Sequence, residues 1–587
     1  MESIIDLKEL YKNNEDFLKG LKSINTKIKQ YKKYENHLFD SPEVLYDFLT
    51  FDTKINIELE RLYLYAHINS DLDLSNDLYQ EYTGKVLNLF NIISEYTSYV
   101  IPEILSHDYK EFLNFCKKNK KLNEYKLNIK SIFRNKKLTL SKEEEKLVTI
   151  LTSNFNKPEE ISELLINTDL YYGNIKDENN KEVLLTNSNY STYLESKDRR
   201  VRKETFETLY KEFKMHENTF SSVLALEVAN NNRIAKIRKF SSSRKLSLYH
   251  NEIDNNIYDK LIDGVSKNLN VFYKYYELKQ KILNIKDFHL YDTFANITNN
   301  YDKTYSYEEA KDIILKSLSV LGKDYIKDLT KAFDNNWIDS RIIKTKRSGA
   351  YCTCAYCTHP YVVCSFEGKL NDISTIAHEL GHAMHYYYAM NNNEYQNYNY
   401  SIFVAEVASQ VNEIILTDYM LKNSTDKEEK KYLLDLILQR FKSTIVRQTM
   451  FAEYEDKIHN LENNGNILTK DLLESTYYEL NKKYFGKNVI VDDEIKYECF
   501  RIPHFYYNFY VYQYATGYAA ALKIADKLIN KEPGALEGYL KFLKLGSTKD
   551  PVSSLKVAGV DIKDEKIYDD VFEIFNKKTE ELRSLYE

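Results

Sequence analysis

Apolar positions recur at three- and four-residue intervals over most of this chain, the spacing that gives an α-helix one buried face. Start signals precede several of these stretches. Ser41-Pro42-Glu43 places a cap residue and a first-turn proline ahead of an apolar segment. Ser141-x-x-Glu144 and Ser306-x-x-Glu309 read as capping boxes. Long amphipathic helices are expected between 424 and 498, interrupted by Asn463 to Asn466. A further stripe, Ile373, Ile376, Ala377, Leu380 and Met384, predicts a helix with Asp372 as its N-cap. Pro503 can open another, on which Tyr507, Tyr510 and Tyr514 would share one face. Two stretches break the pattern. Residues 172–189, with Gly173, Asp177 and paired asparagines, read as a loop or short hairpin. They divide an N-terminal helical lobe, 1–180, from a second region, 181–587. Residues 341–366 are poor in helix formers and rich in β-branched and aromatic residues. They predict a small sheet, with a turn at His359-Pro360 and Gly349 at a bulge or close backbone approach. The fold class is mainly α, with this small β-sheet next to the helix of the stripe.

Composition narrows the picture. A chain of 587 residues is too long for one simple core and implies two or more lobes. Glycine (15) and proline (7) are scarce, which favours helix. Tyrosine is so abundant, at 52, that one near a motif carries little weight. Basic and acidic residues number 82 and 88, for a net charge of −6, so no basic excess points to nucleic acid. No apolar run approaches a membrane span. The N-terminal stretch MESIIDLKELYKNNEDF lacks the basic start and apolar core of a secretory signal, and a cytoplasmic protein is expected. Asp198, Arg199, Arg200 and Arg202 read as a solvated helix face or structural salt bridges. Cys352, Cys354, Cys357 and Cys364 read as small buried residues. Their spacing does not match the paired C-x2-C of zinc knuckles, so neither a second metal nor a disulfide is expected.

The stripe helix carries the chemistry. It contains His378-Glu379-x-x-His382, the HExxH pattern. Residues four apart stand one turn up the same helix face, so both imidazoles can reach one zinc ion. Glu379, beside the first histidine, can take a proton from zinc-bound water without being a ligand. The third ligand is expected from FVAEVASQVNE, at Glu406. A tyrosine- and asparagine-rich loop, Asn391 to Tyr400, leaves room for a second helix packed on the first. Three protein ligands leave one position open, the arrangement of a catalytic rather than a structural zinc. Glu413, seven residues past Glu406, is the candidate to orient a histidine.

AHELGHAMH followed by FVAEVAS resembles the thimet oligopeptidase family of zinc metallopeptidases, and more closely its oligoendopeptidase F branch. KRSGAYC at 346–352, HPYVV at 359–363, PHFYYNFYVYQYATG at 503–517 and SKDRRVRKETFETLY at 196–210 extend the likeness over most of the chain. The resemblance implies that His504, with Tyr514 and Tyr507, faces the zinc and binds the substrate carbonyl. It also implies two helical lobes enclosing a deep channel that admits only unfolded oligopeptides. The expected activity is hydrolysis of internal peptide bonds, with one zinc ion per chain, oligopeptide substrates and neither nucleic acid nor membrane as partner. Whether the chain is a monomer stays open. A zinc carboxypeptidase on a related helical fold and a non-catalytic peptide-binding protein are the rival readings. The first lacks an identifiable group for a terminal carboxylate, and the second has no use for Glu379.

Overall fold

The start signals become helices. The structure, a computed structural model, describes residues 4–152, 154–298, 301 and 303–587, and the first three residues of the N-terminal stretch lie outside them. Ser41 caps Pro42–Leu72, its Oγ accepting the Val44 N–H at 3.2 Å. Both capping boxes form. Glu144 N–H reaches Ser141 Oγ at 3.3 Å and Ser141 N–H reaches Glu144 Oε2 at 2.9 Å, opening Lys142–Thr152. The same exchange between Ser306 and Glu309 opens Tyr307–Ser317. Asn463 to Asn466 separates Arg447–Asn463 from Lys470–Phe485. The architecture is mainly α with small sheets. No helix among the described residues is long and apolar enough to cross a membrane.

Contacts divide the chain into two units, each assembled from three stretches. One holds Met1–Leu138, Asp302–Tyr419 and Ile524–Val560; the other holds Thr139–Tyr301, Met420–Lys523 and Asp561–Glu587. In the second, Phe213, Phe220, Leu224, Tyr258, Tyr454 and Tyr477 are buried core residues. The expected hairpin forms there, with Asn174–Lys176 antiparallel to Glu182–Leu184. The basic cluster is structural. Arg202 is buried 2.7 Å from Asp292, and Arg199 lies 2.9 Å from the same carboxylate. Removing one partner of such a buried pair typically costs about 3–5 kcal/mol.

The first unit carries the HExxH helix. Its core runs along Pro42–Leu72 and takes in Ala355, Tyr361 and Val363 from the sheet region. The sheet orders Ile338–Asp339, Tyr361–Val363 and Tyr351–Thr353, the first pair parallel and the second antiparallel, with Cys352 opposite Val362. Tyr351–Thr353 is therefore an edge strand. Buried Lys346 pairs with buried Asp339 at 2.8 Å and donates to the Arg341 carbonyl at 3.0 Å, which fixes the loop entering that strand. The hairpin turn lies at Tyr356-Cys357 rather than His359-Pro360. Thr358 returns its N–H to the Ala355 carbonyl at 3.1 Å and its hydroxyl to the same oxygen at 2.8 Å, and Cys357 takes a φ of 64°. All four cysteines are free, but only Cys364 is buried; Cys352 and Cys354 are half-buried and the turn exposes Cys357. At Gly349 the backbone has φ +92° with open space around a would-be Cβ, so conformation rather than close approach selects glycine.

The HExxH helix, Leu370–Met390, packs on the two strands of the hairpin. It begins earlier than expected. Lys369 is the N-cap, and Asp372, inside the first turn, accepts the Glu367 and Lys369 N–H groups, both at 2.9 Å. The apolar stripe is buried as expected. After the loop comes Ile402–Asn423, the glutamate helix. At Gly381 the two backbones nearly touch: a Cβ there would stand 2.7 Å from the Ala408 carbonyl oxygen and 2.8 Å from Ser409 N. Beside this contact, buried Asn412 Nδ2 donates to the Ala377 carbonyl at 3.0 Å. Gly381→Ala should therefore force the helices apart, losing about 1–3 kcal/mol of stability in urea unfolding. Parent-like stability would show that the crossing yields without cost.

Candidate active site

Helix spacing and the Gly381 crossing together bring three side chains to one point. His378 and His382 project from successive turns of the HExxH helix, their ring centroids 4.9 Å apart. Glu406 projects from the first turns of the glutamate helix, one turn before the contact at Ser409. Its Oε2 lies 3.3 Å from His378 Nε2 and 3.6 Å from His382 Nε2. One donor atom from each of the three lies within 4.8 Å of the others. Glu406 is nearly half exposed while both rings are mostly covered, so the cluster opens on the carboxylate side.

The far side of the His378 ring is held as well. His378 Nδ1 meets Glu413 Oε1 at 2.6 Å, and Ser374 Oγ donates to the other Glu413 oxygen at 3.0 Å. The Ala405 backbone lies near the His382 ring and favours its charged form. Such partners fix which nitrogen of an imidazole is free to ligate. Burial works against a charged His378 ring, but hydrogen bonds to Glu406 and Glu413 outweigh it and raise its pKa to about 10. Burial also opposes ionisation of Glu406, yet the His378 hydrogen bond and the His382 charge bring it down to about 2. At His382 burial outweighs the pull of Glu406 and the more distant Glu413 and lowers it to about 4. Two carboxylates around two imidazoles thus concentrate negative potential where the donors meet. Two nitrogens and one carboxylate oxygen fit a divalent metal of borderline softness.

Glu379 stands apart from the converging donors. It is 7% exposed, and the nearby Cys352 backbone of the edge strand favours its ionised form. Burial pushes it up to about 7, against the pull of His378. The third histidine of AHELGHAMH does not join the cluster. His385 is buried and stacks on Tyr400 at 3.6 Å, 5° from parallel. Sequence reasoning did not find Gly381, Asn412 or the Ala405 contact. A glycine inside a helix, costly relative to alanine, was the available signal for the first.

His504, Tyr507 and Tyr514 lie in the other unit. Pro503 opens a short 3₁₀ turn, Pro503–Tyr506, and the α-helix begins only at Tyr512. The expected helical face of tyrosines therefore does not form. Asn508 and Phe509 interrupt it with φ of 39° and 60°, conformations that cost residues with side chains about 1–3 kcal/mol each. The turn gathers the rings all the same. His504 meets Tyr507 and Tyr514 edge-on at 5.5 and 5.7 Å, and Tyr510 meets the same two at 6.4 and 5.3 Å. Tyr514 Oη lies 3.4 Å from His504 Nε2. Burial holds the His504 pKa below its ordinary value, while Tyr507 is 40% exposed.

Comparison with known proteins gives consistent matches. A sequence model of peptidase family M3 matches residues 192–574, and one described as oligopeptidase F matches residues 103–172. The chain is 37% identical over 579 residues to oligopeptidase PepF of Bacillus subtilis, covering 99% of this chain and 86% of that one. It is also 37% identical to an oligoendopeptidase F homolog of Borreliella burgdorferi, covering 99% and 98%. Among solved structures, oligoendopeptidase-F from Enterococcus faecium superposes with a TM-score of 0.75 at 33% identity, over 98% of this chain and 99% of that one.

The site's own geometry generates one expectation. Glu413→Gln removes the charge behind His378 and should weaken metal binding about 10–100-fold with the fold intact. Competition with a chelator measures this, and unaltered affinity would remove Glu413 from the site.

Proposed function

The chain belongs to peptidase family M3, in its oligoendopeptidase F branch, and is a metallopeptidase; on that premise we propose that it is a zinc endopeptidase cutting internal bonds of short, unfolded oligopeptides. The observation that carries this reading is the convergence of His378, His382 and Glu406 within 4.8 Å. These three would hold one zinc ion per chain; when bound, zinc supplies a Lewis acid that activates water and polarises a carbonyl. Glu379, buried beside the first ligand and outside the ligand set, takes the proton of the attacking water and passes it to the leaving amine. His504 and Tyr514 donate hydrogen bonds to the carbonyl oxygen as it gains charge, and Tyr507 helps hold the substrate. Glu413 keeps His378 in its ligating orientation. The edge strand Tyr351–Thr353 offers backbone hydrogen bonds to an extended peptide, which gives affinity without strict sequence preference.

A peptide blocked at both ends tests the reading. Mass spectrometry should find internal cleavage, abolished by a chelator. If only a free-ended peptide is cut, the enzyme is an exopeptidase. In the same assay Glu379→Gln should retain the parent's metal content and lose about a hundredfold or more in turnover. A metal-loaded variant that keeps its turnover would deny Glu379 the role of base.

A further inference from the structure

The turn that gathers His504 and the tyrosines is held from behind by one buried acid. Asn508 and Phe509 stand at φ of 39° and 60°, although neither is glycine. Two successive residues with side chains keep such a conformation only where their surroundings impose it. Three contacts do so, all within one unit. The Phe509 N–H donates to Glu455 Oε1 at 2.6 Å. The Asn508 carbonyl accepts Ser247 Oγ at 2.9 Å. The buried Phe509 ring packs on Tyr258 and His459, with centroids 5.7 and 4.7 Å away. Of the three, only the Glu455 contact is a buried hydrogen bond to the strained backbone.

Glu455 lies midway along Arg447–Asn463 and is fully buried. A carboxyl group in such a place costs stability unless a polar partner offsets it. Its partner is the N–H of the second strained residue, two residues past Tyr507 and one before Tyr510. A shift of that peptide group would redirect both rings, and Tyr510 in turn contacts Tyr514. We propose that Glu455 is the positioning residue of this turn: through the Phe509 N–H it fixes the Asn508–Phe509 backbone and so sets where Tyr507, Tyr510 and Tyr514 stand around His504. The inference rests on the reading that His504 and Tyr514 contact the substrate, and it supplies the device that aims them. Burial pushes Glu455 up to about 8, ahead of the opposing Phe509 hydrogen bond, so near neutral pH the group is largely an uncharged acid. Glutamine reproduces the shape and the acceptor of that form.

Variants of the full-length, metal-loaded enzyme, assayed with one quenched peptide, test the proposal. Glu455→Gln keeps the acceptor at the same reach and should stay close to the parent. Glu455→Met fills the space without an acceptor. It should lower kcat about tenfold or more, with KM changed less and metal content constant, as expected when catalytic groups are misplaced by a fraction of an ångström or more. Adding Asn508→Gly to Glu455→Met should restore kcat by about threefold or more, because glycine takes positive φ without strain. Damage to the core alone would not be repaired in this way. Should the methionine variant fail to fold, Glu455→Asp, which withdraws the acceptor by one methylene, makes the same comparison. A parent-like kcat in Glu455→Met, a glutamine variant as impaired as the methionine one, or a glycine that restores nothing would each overturn the proposal. Tyr514→Phe in the same assay separates it from the reading beneath. A loss there with Glu455→Met silent removes only the positioning role, whereas a silent Tyr514→Phe removes the substrate contact itself.

Discussion

Two helix backbones in contact at Gly381 set the distances on which the cluster of His378, His382 and Glu406 depends. Any side chain at that position would meet the Ala408 carbonyl and Ser409 N. The residues that serve the cluster are counted outward from this crossing. Glu406 is one turn before Ser409, and Asn412 and Glu413 follow one turn after it. From those places Glu406 reaches both imidazoles, Asn412 ties the Ala377 carbonyl, and Glu413 backs His378. An interior glycine weakens a helix by about 0.5–1 kcal/mol relative to alanine. Here that loss is offset by a backbone approach no larger residue allows.

Much of this was legible in the sequence because it is local. Periodicity and capping residues report on the few residues around them, so Pro42–Leu72, Lys142–Thr152 and Tyr307–Ser317 begin where their caps stand. HExxH is local for the same reason, since a four-residue spacing already states a shared helix face. What escaped was set by distant backbone. Nothing near His382 announces Ala405, and nothing near Ala377 announces Asn412. The tyrosine segment misled for a related reason. Its three- and four-residue spacing is helical, but Glu455, Ser247 and the packing of Phe509 hold the intervening backbone at positive φ. With no glycine at 508 or 509, only the asparagine hinted at it.

Environment, more than residue type, separates the histidines of the HExxH helix. His378 is bracketed by two carboxylates and holds its charge up to about 10. His382, with one carboxylate nearby and more burial, falls to about 4. His385, a single turn further, is buried against Tyr400 and Phe542, falls to about 3, and serves as a packing group. One helix thus presents the same ring in three electrostatic settings within eight residues, and only the two nearest Glu406 are placed to share a cation.

The closeness of Glu379 to the backbone of Cys352 has a metric consequence. Strand pairing is quantised: a slip of one residue sends every side chain to the opposite face, so a stable register shifts in steps of two. An extended chain added along Tyr351–Thr353 would therefore be phased against the Glu379 carboxylate, because that carboxylate lies beside the strand itself. On the proposed reading the strand would act as a ruler whose zero mark is Glu379. A ruler of this kind would count peptide units instead of reading letters, and its tolerance for different sequences and its accuracy of placement would come from the same backbone bonds.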